Sequence, residues 1–135
     1  MSTINRIRTC QTTSTQVRIY GISRRVTTQG RKYWATRHSL AQPYTDGEGG
    51  SLLSREGYEV RNRLLVRPGI TQLYFRNYEI QVTLAGVFDW DDVHSEIIEI
   101  LKEVFFEETS DVEVQDVFAS DAGECATLVV GTVLV

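Results

Sequence analysis

Residues 88–110, FDWDDVHSEIIEILKEVFFEETS, place Val93, Ile97, Ile100, Leu101, Val104 and Phe105 at helical spacing. Side chains three and four positions apart share one helix face, so these six make an apolar stripe that needs a large partner surface. Asp89 or Asp91 supplies the N-cap, because a carboxylate there accepts from first-turn amides that lack a carbonyl partner. Thr109, Ser110 and Asp111 close the helix. Burying six such side chains contributes on the order of 9–18 kcal/mol before conformational entropy is subtracted.

The flanking sequence supplies the surface. Residues 77–86, NYEIQVTLAG, alternate Tyr78, Ile80, Val82 and Leu84 with Glu79, Gln81 and Thr83. A period of two predicts a strand in a sheet covered on one side. Residues 70–77, ITQLYFRN, predict a second strand joined to it by a tight turn at Arg76-Asn77. After the helix, 111–119 (DVEVQDVFA) and 125–135 (CATLVVGTVLV) read as two more strands parted by the turn-rich 120–124. The last is apolar on both faces, which suits a central strand.

The first half is less regular. Residues 15–40 read as a hairpin turning at Thr28-Gln29-Gly30, with Val17, Ile19 and Val26 before the turn and Tyr33 and Trp34 after it. Residues 41–54, which hold Pro43, Gly47, Gly49 and Gly50, read as a mobile loop, and 57–69 as a short strand ending at Pro68-Gly69. The order of residues 1–14 is left open. The whole predicts a single α+β domain over 1–135, a mainly antiparallel sheet with one long amphipathic helix packed on one face. Its core is expected to hold Tyr78, Ile80, Val82, Leu84, Val93, Ile97, Leu101, Val104, Val129 and Val133, with Trp90 and Phe106 at the rim.

Composition narrows the class without naming an activity. The 135 residues, 41% hydrophobic and 24% charged, exclude whole-chain disorder, a collagen-like fibre and a disulfide scaffold. No apolar run approaches the roughly 20 residues that span a bilayer, and the N-terminal residues lack the apolar stretch of a secretory signal. Cys10 and Cys125 sit at opposite ends and form no spaced pair, although a fold can bring them together. The cytoplasm is the expected compartment.

Charge is the most informative feature. Met1 to Arg76 holds 13 of the 14 basic residues and only four acids, a net of +9, whereas Asn77 to Val135 holds Lys102 against 14 acids, a net of −13. The modest total of −4 therefore hides two opposed halves. On the predicted helix, Asp92, Glu96, Glu99, Glu103 and Glu107 follow spacings of four, three, four and four and form one carboxylate row. Each like-charge neighbour costs an isolated helix ~0.2–0.5 kcal/mol, and Glu107 also opposes the helix dipole. Three arrangements reconcile the row with a stable helix: a solvated face, the Arg-rich half folded back beside it, or a basic face of another copy or another protein.

The basic half carries Arg24, Arg25, Arg31, Lys32 and Arg37 interleaved with Tyr33 and Trp34. Cations that follow a phosphate track, with aromatic faces for stacking bases, suit a single-stranded nucleic-acid binder. Strands that place arginines outside and aromatics inside have the same pattern, and the acidic half would repel phosphate.

Catalytic constellations are sparse. His38 and His94 are the only histidines. Asp91 and His94, at i and i+3, make half of a dinuclear-metal pattern and read as a polar pair in the first turn. Asp89, Asp91 and Asp92 are followed by Val93 and Ile100 where a calcium loop needs oxygen ligands. The DGEGGS stretch at 46–51 has no following lysine, so it lacks the parts of a phosphate loop. No catalytic residue, metal ligand or cofactor is assigned. The expected function is a non-enzymatic interaction or assembly module with a protein partner, self or other, acting through the basic and acidic surfaces. The alternatives are a single-stranded nucleic-acid module at Arg24–His38 and a small-molecule enzyme without a recognisable motif; a membrane partner is not expected.

Overall fold

A computed structural model describes residues 5–12, 14–28, 31–41, 52–106 and 111–118. These form β1 (Arg6–Gln11), β2 (Val17–Ile22), β3 (Lys32–Ala35), a 3-10 turn (Arg37–Ala41), α1 (Arg55–Leu65), β4 (Ile70–Arg76), β5 (Glu79–Leu84), α2 (Trp90–Phe105) and β6 (Glu113–Phe118). The six strands make one sheet in the order β3-β4-β5-β2-β1-β6, antiparallel throughout except for the parallel β1–β6 pair. The fold is thus a mixed α/β arrangement of a mainly antiparallel sheet with two helices.

The late half follows its pattern. Asp89 caps α2, its carboxylate accepting from the Asp91 amide at 3.1 Å. Val93, Ile97, Ile100, Leu101 and Phe105 are buried, and Val104 is half-buried against the same cluster. Ile80, Val82 and Leu84 face the helices, and the β4–β5 turn passes through Asn77 at φ 46°, a left-handed conformation that asparagine tolerates. Glu79 departs from the expectation: its strand position faces away from the helices, yet it is buried and ion-paired with Arg76 at 2.9 Å. The expected strand at 125–135, with Val129 and Val133, lies outside the described residues, as does most of the expected loop at 41–54.

The first half differs in three ways. The expected strand at 57–69 is instead α1. Ser54 caps it by accepting from the Gly57 amide at 3.0 Å, and Val60, Leu64 and Leu65 form its buried side. Gly57 is required there, because a Cβ would stand 2.2 Å from the Val26 carbonyl oxygen. The expected β2–β3 hairpin does not form. β2 lies between β5 and β1, whereas β3 lies beyond β4 at the sheet edge. The chain between them leaves the sheet, with Val26 donating to the Asn77 carbonyl at 2.6 Å and Thr28 to that of Leu52 at 2.9 Å. Finally, residues 6–11, inside the stretch whose order the sequence leaves open, form β1 between β2 and β6.

Both helices contribute to one core with the sheet residues Ile7, Tyr20, Ile22, Leu73, Phe75 and Ile80. α1 and α2 pack against each other, and that contact positions the charges described next.

Candidate functional site

The acidic row lies along α2 beside α1. Glu103 Oε1 meets the Arg63 guanidinium at 2.5 Å, and Arg63 also approaches Glu59 at 3.7 Å. Arg67 Nε lies 2.6 Å from Glu96 Oε2 as a charge contact without hydrogen-bond alignment, while another of its nitrogens donates to the Asp92 carbonyl at 3.2 Å. At Glu96 and Glu103 the Arg-rich half has therefore folded back beside the row. Among the described residues Glu99 and the Asp92 carboxylate form no ion pair, and Glu107 lies outside that set. These pairs are part-exposed, so each is worth only ~0.2–1 kcal/mol.

The basic segment is divided by the fold. Arg24 sits 5.2 Å from the Phe106 ring centre and donates to Asn5 Oδ1 at 3.0 Å. Arg25 lies 4.9 Å over Tyr78 and donates to its hydroxyl. Arg31 and Lys32 are exposed at the start of β3, and Arg37 follows on the 3-10 turn, donating to the Arg67 carbonyl at 3.4 Å. Tyr33 and Trp34, nominated together as stacking residues, point to opposite faces because they are consecutive in a strand. Tyr33 turns inward, its ring 6.1 Å from Phe75 and its hydroxyl accepting from Arg61 at 3.0 Å. Trp34 turns outward and is 58% exposed.

Trp34 is not isolated. Register places it opposite Tyr74 of β4, and the two rings stack with centres 4.0 Å apart and planes 23° from parallel. Lys32 is likewise opposite Arg76. The outer face at the β3–β4 edge thus joins two stacked aromatics to Arg31, Lys32 and Arg76. Tyr74 and Arg76 were missed in the sequence, although the inward Leu73 and Phe75 of ITQLYFR already imply that their neighbours face out.

Two further exposed apolar residues are neighbours in the loop from β5 to α2, whereas Val66 after α1 and Val114 in β6 are exposed singly. Val87 is 91% and Phe88 40% exposed, beside the exposed Asp89, Asp91 and Asp92. Trp90, in contrast, is buried, donating from its indole nitrogen to the Thr15 carbonyl at 2.8 Å under Arg18. A cavity of about 540 Å³ lies between this loop and Thr15-Gln16, and another of about 210 Å³ beside Arg18 and Trp90. Neither is lined by His38 or His94.

His94 belongs to a packed cluster. Its Nδ1 is 2.9 Å from the Tyr20 hydroxyl and its Nε2 3.8 Å from Asp116 Oδ1, with the Tyr20 ring stacked on the imidazole. Burial lowers its pKa, and Arg18 adds to that, while Asp116 and Asp91 pull the other way. Burial also raises the pKa of Tyr20, which has no solvent access and so cannot present a nucleophile. His38 is exposed on the 3-10 turn. Among the described residues no group of three metal-ligating side chains converges. Cys10 is buried and disulfide-bonded, and Cys125, the one other cysteine in the sequence, lies outside the described residues. No described helix is long and apolar enough to cross a membrane. Comparison with family models, curated proteins and solved structures finds no match.

Proposed function

We propose that this chain is a non-catalytic docking module that holds an acidic protein surface on its β3–β4 outer face. One observation carries the reading: Trp34 stands exposed on Tyr74 between cations, and among the described residues neither Arg31 nor Lys32 has a carboxylate partner. Part of the acidic row is occupied by Arg63 and Arg67, and Arg76 of the basic face by Glu79, whereas among the described residues Arg31 and Lys32 have no carboxylate partner. An aromatic pair already held by stacking offers contact area at little further entropic cost, and the cations steer an acidic partner and set its register.

Titrating the protein with an Asp/Glu-rich peptide that carries one aromatic residue tests this. Trp34 fluorescence responds at low salt, the response fades at ~1 M salt where the Debye length is about 3 Å, and the binding heat measured by calorimetry is lost in Trp34→Ala. A wild-type protein indifferent to the peptide at low salt overturns the reading.

A second reading, single-stranded nucleic acid on the same face, draws support from the same stacked rings. A short oligothymidylate in the same assay separates the two. We place the protein in the cytoplasm as its sequence suggests, and thiol titration of protein isolated under an alkylating quench tests this: a Cys10 disulfide that survives in the isolated protein overturns it.

A further inference from the structure

We infer that the partner for the β3–β4 face is a second copy of this chain, which inserts its β5–α2 loop. This rests on the docking reading above and gives the partner an identity. The loop is the chemical complement of the face. Val87 and Phe88 are exposed apolar side chains for Trp34 and Tyr74, and Asp89, Asp91 and Asp92 are exposed carboxylates for Arg31 and Lys32. Contiguous apolar exposure rimmed by charge marks an interaction surface rather than scattered surface hydrophobics.

The loop is also built as a fixed knob. Phe88 lies on Gly69, whose φ is +97° and where a Cβ would stand 2.7 Å from the phenyl ring. The Ala85 amide donates to the Gly69 carbonyl at 2.7 Å, and the Phe88 amide to that of Ala85 at 3.0 Å. A knob already shaped in the free chain loses little freedom on docking.

Placement then sets the symmetry. Lys32 pairs with Arg76 at the turn end of the β4–β5 hairpin, whereas Val87 follows Leu84, which pairs with Ile70 at the opposite end. Knob and face are different surfaces, so each copy gives one and receives one. Such a contact closes as a dimer where two copies exchange knobs reciprocally, and otherwise grows head to tail into a ring or a filament.

Sedimentation at low and high salt, with two variants and their mixture, tests the inference. Wild-type protein is expected to self-associate at low salt and to dissociate as salt rises. Val87→Lys puts a cation on the knob, and Trp34→Ala removes the centre of the face. Each weakens self-association at least about tenfold, as loss of a central contact does. Mixed together, the two variants form a dimer that grows no further, because the Val87→Lys copy keeps an intact face and the Trp34→Ala copy an intact knob. A wild type that stays monomeric at low salt, an assembly that either variant leaves unchanged, or a mixture that does not dimerise overturns the inference. If the monomeric protein still binds the acidic peptide through Trp34, self-docking alone fails; if it binds neither, the docking reading fails with it.

Discussion

The α1–α2 seam and the β3–β4 face draw on the same store of early-chain cations and treat them in opposite ways. At the seam, Arg63 and Arg67 meet Glu103 and Glu96 within 2.6 Å. On the face, Arg31 and Lys32 meet no carboxylate among the described residues. The difference comes from the layer on which each cation lands. α1 packs directly on α2, so an arginine in its last turn and another just beyond it reach the acidic row. The outward residues of β3 stand on the far side of the sheet, and layers pack ~10 Å apart, too far for an α2 carboxylate. Charges segregated along the chain are thus paired only where folding puts them in the same layer.

Four measurements break or sharpen that contrast. The largest effect should come from Phe75→Ala, which removes the buried ring that supports Tyr33 beneath the face. It is expected to cost ~3–5 kcal/mol in urea unfolding, a loss that removes seam and face together. Next, Arg63→Ala with Arg67→Ala should cost ~1 kcal/mol at low salt and almost nothing at high salt, since the pairs are part-exposed. Peptide binding at Trp34 should survive that double change; its loss would show that seam and face are coupled.

The third concerns pH. Folding lowers the His94 pKa beneath its ordinary value of 6.5, so the unfolded chain takes the proton first as pH falls. The contribution of neutral His94 is therefore complete above about 6.5 and declines with falling pH through the window between 6.5 and the lowered value. Thermal melts should show this shallow acid-side loss, and His94→Gln should flatten it. Smallest in stability is Trp34→Ala, expected to cost ~0.2–1 kcal/mol, the worth of a cross-strand pair, while removing peptide binding. A large loss of stability with binding intact would make Trp34 a structural residue and not a docking one.

Particular residues show which parts were legible. The cap at Asp89 and the α2 stripe could be read because both are local: a carboxylate beside its own helix start, and apolar residues every three or four positions. Ile80, Val82 and Leu84 were legible for the same reason at a period of two. α1 was not, although Val60 and Leu64 are spaced for a helix, because its arginines and asparagine interrupt the apolar pattern and Pro68-Gly69 looks like a strand end. Of the five basic candidates Arg25, Arg31, Lys32 and Arg37 are exposed and Arg24 is half-buried, while Tyr33 and Trp34 emerge on opposite faces of β3. Trp34 stacks on Tyr74, forty residues away in sequence, and not beside Tyr33.

From its amino acids alone this protein determined the apolar stripe and first-turn cap of α2 and the alternation of β5, interactions between residues within a few positions of one another, and the division of charge along the chain. Tertiary structure decided that β2 and β3 part company, that Glu96 and Glu103 meet arginines while Lys32 meets no carboxylate among the described residues, and that a tryptophan stands in solvent on a tyrosine. Those outcomes depend on strand order and on which side of a sheet a side chain emerges, and a one-residue step reverses the second.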